Sequence, residues 1–311
     1  MTESREDKTP TDQISRRDLL DDLRSSGPAD TLARLGAAFS TLGRPEEAVG
    51  FYERALEGYR EQNDREGEAK ALADLATAYW QQQDADSAIT AYEQAVALYR
   101  MLGMRRGEAT ALNCIGLLHD QKGELEAALG YYEQALAILW DEGDRLGEAA
   151  TLDVIGMAQR RMGNLRAALA SHRQALKIRQ EEGDLAGEAS TRHALALVYE
   201  ELGQNDRAIA YYEWALRLRR EALDEAGEAI TCYNLSKLYA RLGYLEEAEK
   251  LLARTVEIEA RMGHPDLPKD EAELSELRRR LRRATAGDTT QVHRRLPDPD
   301  RQEAQEDATA G

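Results

Sequence analysis

Glycine recurs at a fixed interval of forty residues, as Gly27, Gly67, Gly107, Gly147, Gly187 and Gly227, and from Gly67 onward it always opens the tripeptide Gly-Glu-Ala. A strict period of this length describes a unit that cannot bury its own apolar face and must stack on its neighbours. The expected product is an all-α solenoid whose function lies on the stacked surface. Within one period the apolar residues follow helical spacing twice, for example Leu72, Leu75, Ala76 and Tyr79, then Ala88, Tyr92, Ala95 and Leu98, with a polar break at Gln83-Asp84 between them. Each unit is therefore predicted to be a helical hairpin.

The boundary residues agree with that reading. Asp64, Asp144, Asp184 and Asp224 stand where a carboxylate can accept from the free amides of a first helix, and Glu68, Glu148, Glu188 and Glu228 place negative charge at its positive end. Gly43, Gly123, Gly163, Gly203 and Gly243 fall between the two helices, where a turn needs left-handed backbone, and Pro45 suits the first turn of a second helix.

Repeat three carries Leu112, Ile115-Gly116 and His119, then Ala128, Tyr132 and Ala135; repeat one carries Leu32, Leu35-Gly36, Phe39, Ala48, Tyr52 and Ala55. One alanine persists through Ala48, Ala88, Ala128, Ala168, Ala208 and Ala248, as close helix approach demands. This pattern resembles the tetratricopeptide repeat family over residues 29–266, six tandem hairpins. The forty-residue spacing is similar to that of Pins-type polarity adaptors, kinesin light chain relatives and many bacterial regulatory and scaffold proteins. The resemblance implies a right-handed superhelix with first helices lining a concave groove. The family's usual proline at the end of the second helix is replaced by Arg60, Arg100, Trp140, Gln180, Arg220 and Ala260, so the helix is expected to run on by up to ~9 Å at 1.5 Å per residue.

The flanks differ from the repeats. Residues 1–11 are polar and are expected to be disordered, and 12–28, with Ile14, Leu19, Leu20 and Leu23, reads as a capping helix. Residues 267–283 read as a second capping helix, with Leu274, Leu277 and Leu281 on one face and a solvated face of arginines, Arg278 to Arg280, Arg282 and Arg283. The stretch 284–311 has little to bury and is expected to be a disordered tail.

Charge narrows the partners. With 58 acidic against 41 basic residues and a net charge of −17, the chain would repel a phosphate backbone or an anionic membrane. No stretch reaches the ~20 apolar residues of a spanning helix, and the amino terminus lacks the apolar core of a secretion signal, so a cytoplasmic protein is expected. Cys114 and Cys232, three repeats apart on first helices, read as core thiols. Neither metal-ligand spacing nor a glycine-rich phosphate loop is present, so no cofactor, metal or catalytic residue is expected.

The resemblance places the second, fifth, ninth, twelfth and thirteenth positions of each first helix on the concave side. The fifth positions become polar along the chain, with Asn113, Asp153, His193 and Tyr233 following two alanines. The ninth include Leu117, Met157 and Leu197, then Lys237; this apolar floor is edged by Trp80, Asp120, Arg160, Arg161 and Glu200. Such a stripe fits an amphipathic or basic segment of a protein partner, with Trp80 as an anchor. Packing of the same apolar residues within the solenoid is the competing reading. His119 and His172 occupy aromatic packing positions, while His193 has Asp153 or Glu200 as candidate partners. Three functions follow: an adaptor whose groove captures a peptide or helix, a regulatory sensor that changes superhelical shape on binding a signalling peptide, and an enzyme built around His193. The adaptor is the preferred reading. Self-association through the groove or the solenoid ends stays open.

Overall fold

The computed structural model describes residues 27–287, with side chains to 283. The expected amino-terminal segment and first capping helix up to residue 26, and the carboxyl-terminal tail from 288, lie outside the described residues. Among the described residues there are thirteen α-helices and no strands.

The chain divides into two compact units, the first ending at Glu142 and the second starting at Gly143. The first holds three hairpins, built from α1 (Pro28–Thr41) and α2 (Pro45–Gln62), α3 (Arg65–Gln81) and α4 (Ala85–Leu102), and α5 (Arg105–Gln121) and α6 (Leu125–Glu142). The second holds three more, α7 (Arg145–Arg161) and α8 (Leu165–Glu182), α9 (Leu185–Glu201) and α10 (Asn205–Glu221), and α11 (Glu225–Leu242) and α12 (Leu245–Met262). It is completed by α13 (Leu267–Gly287), which packs on α12. Within each unit every hairpin packs on its sequence neighbour, the arrangement of an all-α repeat solenoid.

The expected caps form. Asp64 accepts from the Gly67 amide at 3.0 Å, and Asp144, Asp184 and Asp224 accept from Gly147, Gly187 and Gly227, each at 2.9 Å. The alanine of the second helix is buried in all six hairpins. Facing it, the Leu-Gly glycine lets the hairpin close: a methyl built on Gly116 would collide with the Tyr132 ring, and one on Gly156 would stand 2.7 Å from the His172 imidazole.

One expectation needs correction. The second helices continue only two residues past the missing-proline position, one in α10, a gain of about 3 Å at 1.5 Å per residue. They stop because the next turn takes left-handed backbone at Asn63, Gly103, Gly143, Gly183, Leu223 and Gly263, a second turn position also repeated every forty residues. The Gly-Glu-Ala glutamates stand in the first helical turn, as their role as dipole complements requires, and are also interior. Glu108 is 1% exposed and meets Arg100 at 2.9 Å and Arg105 at 3.1 Å. Glu68 is held by Arg60 and Arg65, each at 2.7 Å. Glu228 is held by Arg220 at 2.8 Å and Arg254 at 3.0 Å. The arginines that replace the family's proline therefore neutralise a buried carboxylate eight residues later.

Candidate functional site

The first-helix residues singled out from sequence fall in different settings. In the first unit Leu117 and Asn113 are half-buried, and Trp80 is half-buried with its indole Nε1 donating to Gln121 Oε1 at 2.9 Å. Asp120 is half-buried on the same helix as Gln121. In the second unit Met157 is 48% exposed, whereas Leu197 packs against the core formed by Leu195, Tyr199 and Tyr212. Of the apolar residues proposed as a floor, Met157 is the most open to solvent, and Leu197 follows the competing packing reading.

The edge residues satisfy one another. Ser40 donates to Gln81 at 2.7 Å, Trp80 to Gln121, and Arg160 to Glu201, each pair forty-one residues apart. Arg241 pairs with Glu200 at 3.0 Å, and the Tyr212 hydroxyl also donates to Glu200 at 3.1 Å. The twelfth position of one first helix is thus bridged to the thirteenth of the next within each unit. Sequence reading took these charges as free to match a ligand; the complementary pairs Arg160/Glu201 and Glu200/Arg241 at a spacing of one period plus one were the overlooked signal. Arg161 is exposed beside this ladder. Being partly solvated, such ion pairs contribute only ~0.2–1 kcal/mol each, so a partner can exchange them at little cost.

The fifth positions turn inward. Asp153 accepts from His172 Nδ1 at 2.9 Å, Arg179 Nη2 at 2.8 Å and the Thr191 hydroxyl at 2.7 Å. This carboxylate ties α7 to α8 and to α9. His193 is engaged elsewhere and the Asp153 pairing considered for it does not form, while Glu200 is taken by Arg241 and Tyr212. His193 instead meets Thr231 Oγ1 at 3.0 Å and Asn234 Nδ2 at 3.2 Å, with Tyr212 against its ring edge. Burial, reinforced by Arg219 and Arg160, pushes its pKa down to about 4. The imidazole is neutral at ordinary pH, with a hydroxyl and an amide as its hydrogen-bonding partners. Tyr233 and Lys237 converge on α13: Lys237 Nζ pairs with Glu273 at 3.1 Å, and the Tyr233 hydroxyl lies 3.4 Å from the same carboxylate.

His172 is buried as expected, while His119 is only partly covered, stacking on Tyr131 and meeting Glu124 at 2.6 Å. Cys232 is buried and Cys114 half-buried, both as free thiols. Among the described residues no group of histidine, cysteine, aspartate or glutamate has the arrangement of a metal site, and no helix is long and apolar enough to cross a membrane.

The sequence matches the model of the family described as tetratricopeptide repeat over residues 28–101, 107–181, 155–221 and 187–260, more than half of the chain. No curated protein matches. Among solved structures, BtubC (BKLC) from P. vanneervenii is similar at a TM-score of 0.63 and 23% identity, with 70% of this chain and 92% of that chain covered. A Podosopora anserina kinesin light chain with nearly identical repeats gives 0.54 at 17% identity, covering 63% and 98%. A Rap protein complexed with competence and sporulation factor gives 0.57 at 18% identity, covering 86% and 80%. At these identities the likeness is one of fold.

Proposed function

The chain belongs to the tetratricopeptide repeat family, and from that premise we propose that it is a non-catalytic interaction scaffold whose first-helix face receives a peptide or amphipathic helix of a partner protein. The observation that carries this reading is Met157, a large apolar side chain 48% exposed on the first-helix face and flanked by the solvated Arg160–Glu201 pair. An apolar side chain there loses water on contact, and the adjoining pair can re-form with charges of the partner. The net charge of −17 favours a partner with basic segments.

The test is affinity capture with the full chain, wild type against Leu117→Glu and Met157→Glu, leaving Leu197 intact because it packs on the core. A partner retained by wild type and lost with unchanged circular dichroism supports the first-helix face as the binding surface. Identical capture by all versions refutes it. A second reading, a sensor that changes shape on binding a signalling peptide, is favoured by the likeness to a Rap protein solved in complex with competence and sporulation factor. Scattering curves that shift on addition of the captured peptide would select it.

A further inference from the structure

At the end of the second unit, α12 and α13 bring two carboxyl groups together away from water. Glu259 is 7% exposed and Asp270 only 3%, and one oxygen of each, Glu259 Oε2 and Asp270 Oδ1, is sealed from solvent without a donor. Both side chains line the same small cavity, with Tyr233, His264 and Lys269, and each bears on the other's ionisation. Two ionised carboxylates so placed repel, and each unmet acceptor adds a desolvation cost.

The charged neighbours do not resolve this. From the turn before α13, His264 Nδ1 stands 3.6 Å from Glu259 Oε1, not the orphan oxygen, and 3.8 Å from Asp266. On α13, Lys269 lies over the Tyr233 ring of α11 at 5.3 Å, and Glu273 adds negative charge while engaging Lys237. On α12, Arg261 is taken by Glu225 of α11 at 2.8 Å, and Arg254 by Glu228. A proton held between the two carboxyls would supply a donor, since a protonated carboxyl donates to its partner in a short charge-assisted bond.

We propose that Glu259 and Asp270 share a single proton and that the docking of α13 onto the last hairpin is therefore proton-linked. Burial, then the facing Asp270, raises the Glu259 carboxyl above the usual range; burial, with Glu273 adding to it, raises that of Asp270. A group whose folded pKa is raised stabilises the docked state fully below the unfolded value, about 4 for these side chains, and loses that contribution as pH rises through the folded value. Undocking would uncover Leu274 and Leu277, which α13 buries in the core of the second unit. The pair thus couples exposure of an apolar end surface to pH.

Amide hydrogen exchange over residues 267–283 of the full chain, corrected for intrinsic rate at about pH 5.5 and about pH 8.5, reads the docking equilibrium. The opening constant is expected to be larger at the higher pH, by roughly tenfold where the pair's folded titration lies one unit above the lower pH. Asp270→Asn should make the response flat, because an amide donates without titrating. His264→Gln should leave the response in place. Wild-type protection that is flat or increases with pH overturns the proposal, as does loss of the response in His264→Gln, which would assign it to the imidazole. Carboxyl NMR titration of the wild-type chain keeps the test independent of any variant: one carboxyl should titrate well above the ordinary range, and two steps near 4 would overturn the shared proton.

Discussion

Replacing Glu228 by glutamine separates the charge of the interior glutamate from its shape. In the folded chain Glu228 is 4% exposed; Arg254 grips it with Nη2 on Oε2 at 3.0 Å and Nε on Oε1 at 3.2 Å, while Arg220 Nε reaches Oε1 at 2.8 Å. Glutamine keeps one acceptor for two of these bonds but turns the other oxygen into an amide that faces Arg254 Nη2, donor against donor. Losing one hydrogen bond to a charged group costs about 1.5–3 kcal/mol. Both arginines remain partly solvated and can turn to water, so the lower half of that range, about 2 kcal/mol, is expected. The assay is urea unfolding followed by circular dichroism, paired with hydrogen exchange in α11 and α12 because repeat arrays need not unfold in one step. The pH dependence supplies a stricter check. The hydrogen bonds from Arg254 and Arg220 outweigh burial and hold the Glu228 carboxyl below its usual value. Its contribution is therefore present above about pH 4.3 and disappears as pH falls through the depressed folded value. The gap between wild type and Glu228→Gln should be full near neutrality and shrink in acid. A gap under about 0.5 kcal/mol, or one that does not change with pH, would refute the reasoning.

Other substitutions probe other parts of the scaffold. Asp153→Asn should cost about 2–3 kcal/mol in urea unfolding, because Arg179, only 12% exposed, is left with Asp184 alone as a charged partner and the new amide meets one of the three donors. Leu223→Gly should stabilise by about 1 kcal/mol, read as a higher melting temperature, since Leu223 is 85% exposed and sits at φ 55°, where a leucine gains no contact to offset its backbone strain. Gly116→Ala should destabilise by ~1–3 kcal/mol because the added methyl meets the Tyr132 ring at the hairpin crossing. His193 should show no titration in its imidazole NMR signals above about pH 5.5, its buried ring staying neutral; a midpoint near 6.5 would contradict the buried placement.

The period of forty, the two helical patterns within it and the capping aspartates determined the hairpin repeat from sequence alone. Those signals are local: an amide three residues from a carboxylate, or an apolar stripe along one helix, is fixed by spacing along the chain. The reason for the recurring glycine was not legible in that way. It is no turn residue; it lies in the first turn of the first helix, where a side chain would strike the end of the preceding second helix, as a methyl on Gly107 would meet the Tyr99 ring at 2.9 Å. The next residue, read as a dipole complement, is also a buried anion, and at Glu68, Glu108 and Glu228 an arginine from the preceding helix reaches it. The first-helix face shows the same limit. Spacing assigns its positions a common register, but whether Leu197 packs, whether Asp153 faces a ligand or three internal donors, and whether Arg160 is free or bridged depends on the neighbouring repeat. Sequence periodicity fixes which residues share a face; only the stacking of one hairpin on the next decides which of them are left facing solvent.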